Sequence, residues 1–184
     1  MRRDPAEPSG AAPADGKSAA ALIAAATRPA AVFTPLFRRE RLIRFSDCDP
    51  AGIVFYPQYF VMFNGLVEDW FGEALGLPYA DVLMRRRLGL PTVRVEADFR
   101  AVSRFGDRVA LSLGVERLGG RSLALDLRCE KAGTGAEGGA DADAGELRMS
   151  MRQVIVTTSL DTHRAVDIPP DLRAAIAHDA GILQ

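Results

Sequence analysis

Between Pro57 and about Leu75, apolar residues return at Tyr59, Phe63, Leu66, Trp70 and Ala74, the spacing of one face of an α-helix. Pro57 suits the first turn of that helix, because its missing N–H would have no partner there in any case. Past position 92 the period changes from helical to two. Val93, Val95, Ala97, Phe99 and Ala101 alternate with Arg94, Glu96, Asp98 and Arg100, which predicts a long strand with one buried face. Val109, Leu111, Leu113 and Val115 make a second alternating run, and Leu123, Leu125, Leu127 and Cys129 a third, with Gly119-Gly120 between them as a tight turn. A strand over 39–47 precedes the helix. A last strand over 146–159 and a short helix over 169–180, opened by two prolines, complete the order. One long helix with an apolar face and a run of antiparallel strands pack most simply when the sheet covers the helix, giving an α+β domain.

Two segments break the pattern. Residues 1–36 are rich in Ala, Pro, Gly and small polar residues, too poor in apolar bulk to fold alone, and are expected to form a tail ahead of a single domain over 37–184. The segment 132–146, with "AGTGAEGGADADAGE", reads as an insertion between two strands rather than a domain boundary. The run "AAALIAAA" follows a long, partly acidic leader, so it is a poor signal-peptide core, and a cytoplasmic setting is expected.

Charge and composition exclude several functions. The chain of 184 residues carries 23 basic and 24 acidic residues, well mixed, so no overall field draws it to nucleic acid or an anionic membrane. An anionic ligand would need a local patch. The two cysteines, Cys48 and Cys129, stand far apart, and the two histidines, His163 and His178, both lie near the C-terminus in unrelated contexts. Neither a disulfide framework nor a histidine metal site or catalytic triad is indicated, so any catalysis falls to carboxylates or backbone. The basic run Arg85, Arg86 and Arg87 is read as an exposed face.

The candidate chemistry lies at 47–60, "DCDPAGIVFYPQYF", where two acids flank a cysteine ahead of a Pro-Ala-Gly turn and the start of the long helix. Asp47 reads as a turn former whose carboxylate accepts local backbone N–H groups. Cys48 has no histidine near it in sequence and an acid on either side, which disfavours a thiolate, so it reads as a small packing residue.

This stretch closely resembles the signature of the 4-hydroxybenzoyl-CoA thioesterase family of hotdog-fold enzymes, in which an acid-containing loop precedes a central helix. The resemblance runs over about 38–170 in element order, with "ADFRAVSRFGD" at 97–107 similar to the family's long strand and following turn. It implies a hotdog fold and hydrolysis of acyl-CoA thioesters, with no metal or cofactor taking part, by the second acid of the motif, Asp49, either as nucleophile or as general base. The oxyanion would be met by the backbone N–H of Tyr56 at the helix start, with Gly52 letting the loop pass close to the ligand. Homodimers or tetramers with sites at subunit interfaces are expected, since a single sheet leaves an edge unpaired.

The resemblance also suggests where substrate lies. Phe55, Tyr59, Phe63 and Asn64 would line an acyl pocket favouring benzoyl-type or medium acyl groups, and Asn64, an amide rather than a carboxylate, would not demand a ring hydroxyl. Arg117 and Arg121, flanking the Gly-Gly turn, are the expected contacts to the CoA phosphates. The competing functions are a non-catalytic acyl-binding domain and, less favoured because no histidine lies on the helix segment, a hydratase or dehydratase.

Overall fold

The computed structural model describes residues 33–133 and 145–182. Most of the expected tail and insertion therefore lies outside the described residues. The inner ends of both are part of the fold. Leu36 donates its N–H to Leu113 O at 2.8 Å and Phe33 packs under the Arg128 guanidinium, so ordered chain begins before position 37. At the other gap, Lys131 N–H donates to Glu146 O and Gly145 N–H to Lys131 O, both at 2.9 Å, which closes the connection as a hairpin.

Five strands form one antiparallel sheet in the order β1-β4-β5-β6-β3. They are β1 (Phe37–Leu42), β3 (Thr92–Phe99), β4 (Arg108–Leu118), β5 (Ser122–Lys131) and β6 (Leu147–Val156). The hairpin at Gly119-Gly120 is as its alternation predicts, with Leu118 opposite Leu123. The first strand is shorter than the expected 39–47. Its pairing with β4 ends at Leu42 opposite Arg108, where β4 begins, so the next residues have no ladder to join and turn into a 3-10 helix over Phe45–Asp47.

Helix α1 (Pro57–Glu73) buries Tyr59, Met62, Phe63, Leu66, Val67, Trp70 and Phe71, a continuous stripe at three- and four-residue steps. This stripe meets Leu111, Leu113, Leu125, Leu127 and Met149 from the sheet in one core. Gly76, at φ +66°, takes the left-handed conformation that ends the helix, and Leu77 N–H returns to Phe71 O at 2.8 Å. The expected terminal helix is α3 (Pro170–Asp179), tied to α1 by Trp70 Nε1–H donating to Asp179 Oδ2 at 2.8 Å.

Three elements escape the sequence pattern. Helix α2 (Tyr79–Met84) and the strand pair β2 (Leu88–Gly89) and β7 (Thr158–Ser159) are too short to show a period. The arginines after α2 are exposed to differing degrees but engaged: Arg85 pairs with Asp81, Arg86 with Asp171 and Arg87 with Asp161. Strand β3 departs further from expectation. It is not half-buried: Val93, Val95 and Phe99 are 60%, 43% and 42% exposed. As the sheet's edge it pairs with β6 alone, and the core lies beneath the central strands, so alternation there marks an apolar face left uncovered in the single chain.

Candidate active site

The acid loop is built by its own backbone. Cys48 pairs antiparallel with Val54, Phe55 N–H donates to Asp47 O at 2.9 Å, and Asp49 N–H donates to Ile53 O at 2.9 Å. Gly52 closes the tip by donating to Asp49 O at 2.9 Å from φ +74°. A Cβ at Gly52 would meet nothing within 4 Å in this chain, so its left-handed backbone, rather than close approach, is what calls for glycine here.

The two acids have different surroundings. Asp47 is 7% exposed, and its Oδ2 accepts from Arg41 Nη2 at 2.6 Å and from Arg44 N–H at 2.8 Å. It is the loop's internal tie. Asp49 is only partly buried; its Oδ1 accepts from Ala51 N–H at 2.8 Å, and no cation among the described residues pairs with it. Nearby, Cys48 has its thiol pKa pushed up by burial and then by Asp47 and Asp49, which agrees with an unreactive packing residue.

Tyr56 caps α1 in helical conformation. Because Pro57 has no N–H, the first bonds of the turn are Gln58 N–H to Phe55 O at 2.8 Å and Tyr59 N–H to Tyr56 O at 3.2 Å. The Tyr56 N–H itself donates to no other described residue. It is thus an unused donor at the positive end of a helix, next to a loop that carries an unpaired carboxylate.

A second loop, 100–107, the turn expected after the long strand, clamps the first, a contact that the residue pattern does not show. Ile53 pairs with Arg104, Val54 N–H donates to Ser103 O at 2.9 Å, and Gly106 N–H donates to Ile43 O at 3.0 Å. Two buried side chains anchor the clamp. Tyr59 Oη–H donates to Ser103 Oγ at 2.9 Å, and Arg148 Nη1 donates to Val102 O at 2.8 Å. A short sequence cannot show this, because its partners come from α1 and β6.

Several expected ligand residues fall elsewhere. Phe63 is wholly buried and Tyr59 is 3% exposed, so both belong to the core in this chain rather than to an open pocket wall. Burial raises the Tyr59 pKa, with the Ser103 bond opposing it. Phe55 is exposed and stands edge-on to Tyr56, which in turn meets Phe60 and Phe99, forming an aromatic border on the outside of the loop. Asn64 is exposed at the mouth of a cavity of about 210 Å³, shared with Val67, Glu68, Tyr79, Leu90, Thr92, Gln153 and Ile155.

The arginines of the hairpin do not join the acid loop. They sit at the far end of β4, roughly 30 Å from the Asp49 loop at its start, at about 3.3 Å per residue. Arg121 is paired with Asp167 at 2.6 Å, and Ile168 N–H donates to Gly120 O, so the C-terminal segment already occupies the turn. Arg117 lies 3.4 Å from Ser122 Oγ. Among the described residues neither has a hydrogen bond or ion pair to the acid loop.

A family model described as the thioesterase-like superfamily matches residues 43–176, and the chain belongs to that superfamily. Among individual relatives, a 1,4-dihydroxy-2-naphthoyl-CoA hydrolase of Prochlorococcus marinus is 33% identical over 103 residues, which is 50% of this chain and 66% of that protein, just under two thirds of its length. The 4-hydroxybenzoyl-CoA thioesterase of Pseudomonas sp. strain CBS-3 is 23% identical over 133 residues, covering 72% of this chain and 91% of that one. A solved gentisyl-coenzyme A thioesterase superposes with a TM-score of 0.63 at 26% identity, over 76% of this chain and 99% of its own. The fold is that of the hotdog thioesterases.

Proposed function

We propose that this chain is an acyl-CoA thioesterase that uses Asp49 as its carboxylate and the Tyr56 N–H as its oxyanion donor. The observation that carries the reading is that one short segment holds two groups unspent among the described residues, a loop carboxylate without a cation and a helix-start N–H without an acceptor. Relatives named for hydrolysis of hydroxylated aryl-CoA esters support it.

Two routes fit the geometry. As general base, Asp49 takes a proton from water while the water oxygen bonds to the thioester carbon, and the tetrahedral oxyanion is met by Tyr56 N–H; the C–S bond then breaks and CoA thiolate takes up a proton. As nucleophile, Asp49 bonds to that carbon directly, expels thiolate, and the mixed anhydride is hydrolysed afterwards. Both need α1 to begin where it does, against the sheet, and both are served by a central helix whose N-terminal dipole favours negative charge.

The chain is further read as working as a homodimer or tetramer. Strand β3 presents Val93, Val95 and Phe99 to solvent on an unpaired edge, which a second copy would cover. In such an assembly the Gly-Gly hairpin of a neighbouring subunit is a further source of arginine for the CoA phosphates. Sedimentation that finds a fully active monomer would contradict this part. No helix of the described residues is long and apolar enough to cross a membrane.

A thiol-release assay with benzoyl-, 4-hydroxybenzoyl- and dodecanoyl-CoA tests the reading. Hydrolysis of at least one ester, lost in Asp49→Asn, is expected. An acyl-binding domain without catalysis would bind an unreactive CoA thioether yet release no thiol.

A further inference from the structure

The cavity beside Asn64 differs from the aromatic-walled pocket expected from sequence. Four of its wall residues, Asn64, Glu68, Thr92 and Gln153, carry polar side chains, and they face Val67, Leu90 and Ile155. Gln153 is the unusual member. It lies on β6, is 4% exposed, and spends only one end of its amide: Nε2 donates to Thr92 Oγ1 at 2.6 Å, while Oε1 has no hydrogen-bond partner among the described residues. A buried amide end without a partner costs free energy in the empty protein, and nothing in the packing of β6 requires it. If the amide were turned round, Thr92 Oγ1 would donate to the oxygen and the NH2 would be the unspent end, so one polar atom is left over in either orientation.

We infer that Gln153 is a specificity-determining residue, which selects acyl groups bearing a hydroxyl at the end remote from the thioester. The inference rests on the thioesterase reading and gives its acyl site a far wall. A hydroxyl both donates and accepts, so it satisfies the leftover atom of Gln153 whichever way the amide lies. The span is suitable. Asn64 stands about 12 Å beyond Tyr56 along α1 at roughly 1.5 Å per residue. One aromatic ring between a carbonyl and a para hydroxyl, with a hydrogen bond of about 3 Å at each end, covers much the same length. The 210 Å³ volume admits a single ring, and its lining of Val67, Tyr79, Leu90 and Ile155 beside four polar side chains suits a flat ring with a polar substituent. Selection for hydroxyl, which Asn64 alone does not require, is assigned to Gln153.

The test compares 4-hydroxybenzoyl-CoA with benzoyl-CoA, by kcat/KM for hydrolysis and by Kd for their non-hydrolysable thioether analogues, in wild type, Gln153→Met and Gln153→Glu. Wild type is expected to favour the hydroxylated ester by about tenfold, the scale of one well-made buried hydrogen bond. Gln153→Met, similar in length but without polar atoms, should bring the ratio close to one, and Gln153→Glu, which keeps an acceptor, should restore a preference. Equal treatment of the two esters by wild type, or a ratio that Gln153→Met leaves unchanged, would overturn the inference. If wild type cleaves neither ester but its analogues still bind with a ratio that depends on Gln153, the thioesterase reading fails and the role of Gln153 stands.

Discussion

Replacing each of the two loop acids by its amide should separate structure from chemistry. In Asp47→Asn the side-chain oxygen can still accept, but two bonds to Oδ2, at 2.6 Å from Arg41 and 2.8 Å from Arg44 N–H, lose their charge assistance. Asp47 is 7% exposed, so little water replaces them. Hydrogen bonds to charged groups are worth about 1.5–3 kcal/mol, and retention of neutral bonds returns part of that, which leaves a loss of about 1–2 kcal/mol. For a domain of this size that is a fall in Tm of roughly 2–8 °C. Asp49→Asn keeps its one internal bond, from Ala51 N–H, through the amide oxygen, so stability should change by less than about 0.5 kcal/mol. Its kcat should fall by about two to four powers of ten, the scale of a lost general base or more. Urea unfolding and thiol release, run on the same preparations, measure both quantities. A stable Asp47→Asn protein with no activity, beside an Asp49→Asn protein that hydrolyses at nearly the wild-type rate, would refute the assignment of the two acids.

Further outcomes follow from the loop and its clamp. Tyr59→Phe strands the Ser103 hydroxyl, which is 1% exposed, and should cost about 1–3 kcal/mol in unfolding free energy while lowering kcat more than it raises KM, because Ser103 also receives Val54 N–H from the acid loop. Gly52→Ala meets no steric obstacle but must hold φ near +74°, so denaturant unfolding should show a loss of about 1–2 kcal/mol; an unchanged midpoint would mean that the loop relaxes to another turn. Cys129, wholly buried, has its pKa raised to about 12 chiefly by burial. A thiol that is harder to ionise folded than unfolded favours the native state fully below the unfolded value of 9.0, and that advantage is lost as pH rises from there through about 12, so Cys129→Ala should flatten the alkaline limb of a stability–pH curve. A thiol reagent at neutral pH should label Cys48 before Cys129, and mass spectrometry showing the reverse order would contradict the burial.

Elements whose signals are local can be read directly from the chain. Helix α1 is legible because Tyr59, Phe63, Leu66 and Trp70 repeat at helical steps behind a proline, though Ala74, read as part of the same face, is exposed at its end, and the β4–β5 hairpin because two alternating runs flank Gly119-Gly120. The acid loop is legible in part, because its two acids, its Pro-Ala-Gly turn and the proline that opens the helix are neighbours in the chain and resemble a family signature, whereas the left-handed backbone of Gly52 shows only in the structure. Only the tertiary structure decided what depends on neighbours far apart in sequence. Alternation in β3 says that one face is apolar, but whether that face is covered depends on its place in the sheet, and edge position leaves it bare. Spacing along α1 put Tyr59 and Phe63 on an apolar face without saying whether core or ligand would fill the space before them; the sheet fills it. The hairpin arginines have the right charge, but they stand at the end of β4 away from the acid loop, a separation that composition does not encode. Gln153 is one polar residue in a strand, and its unspent amide becomes visible only when α1, β3 and β6 close around the same cavity.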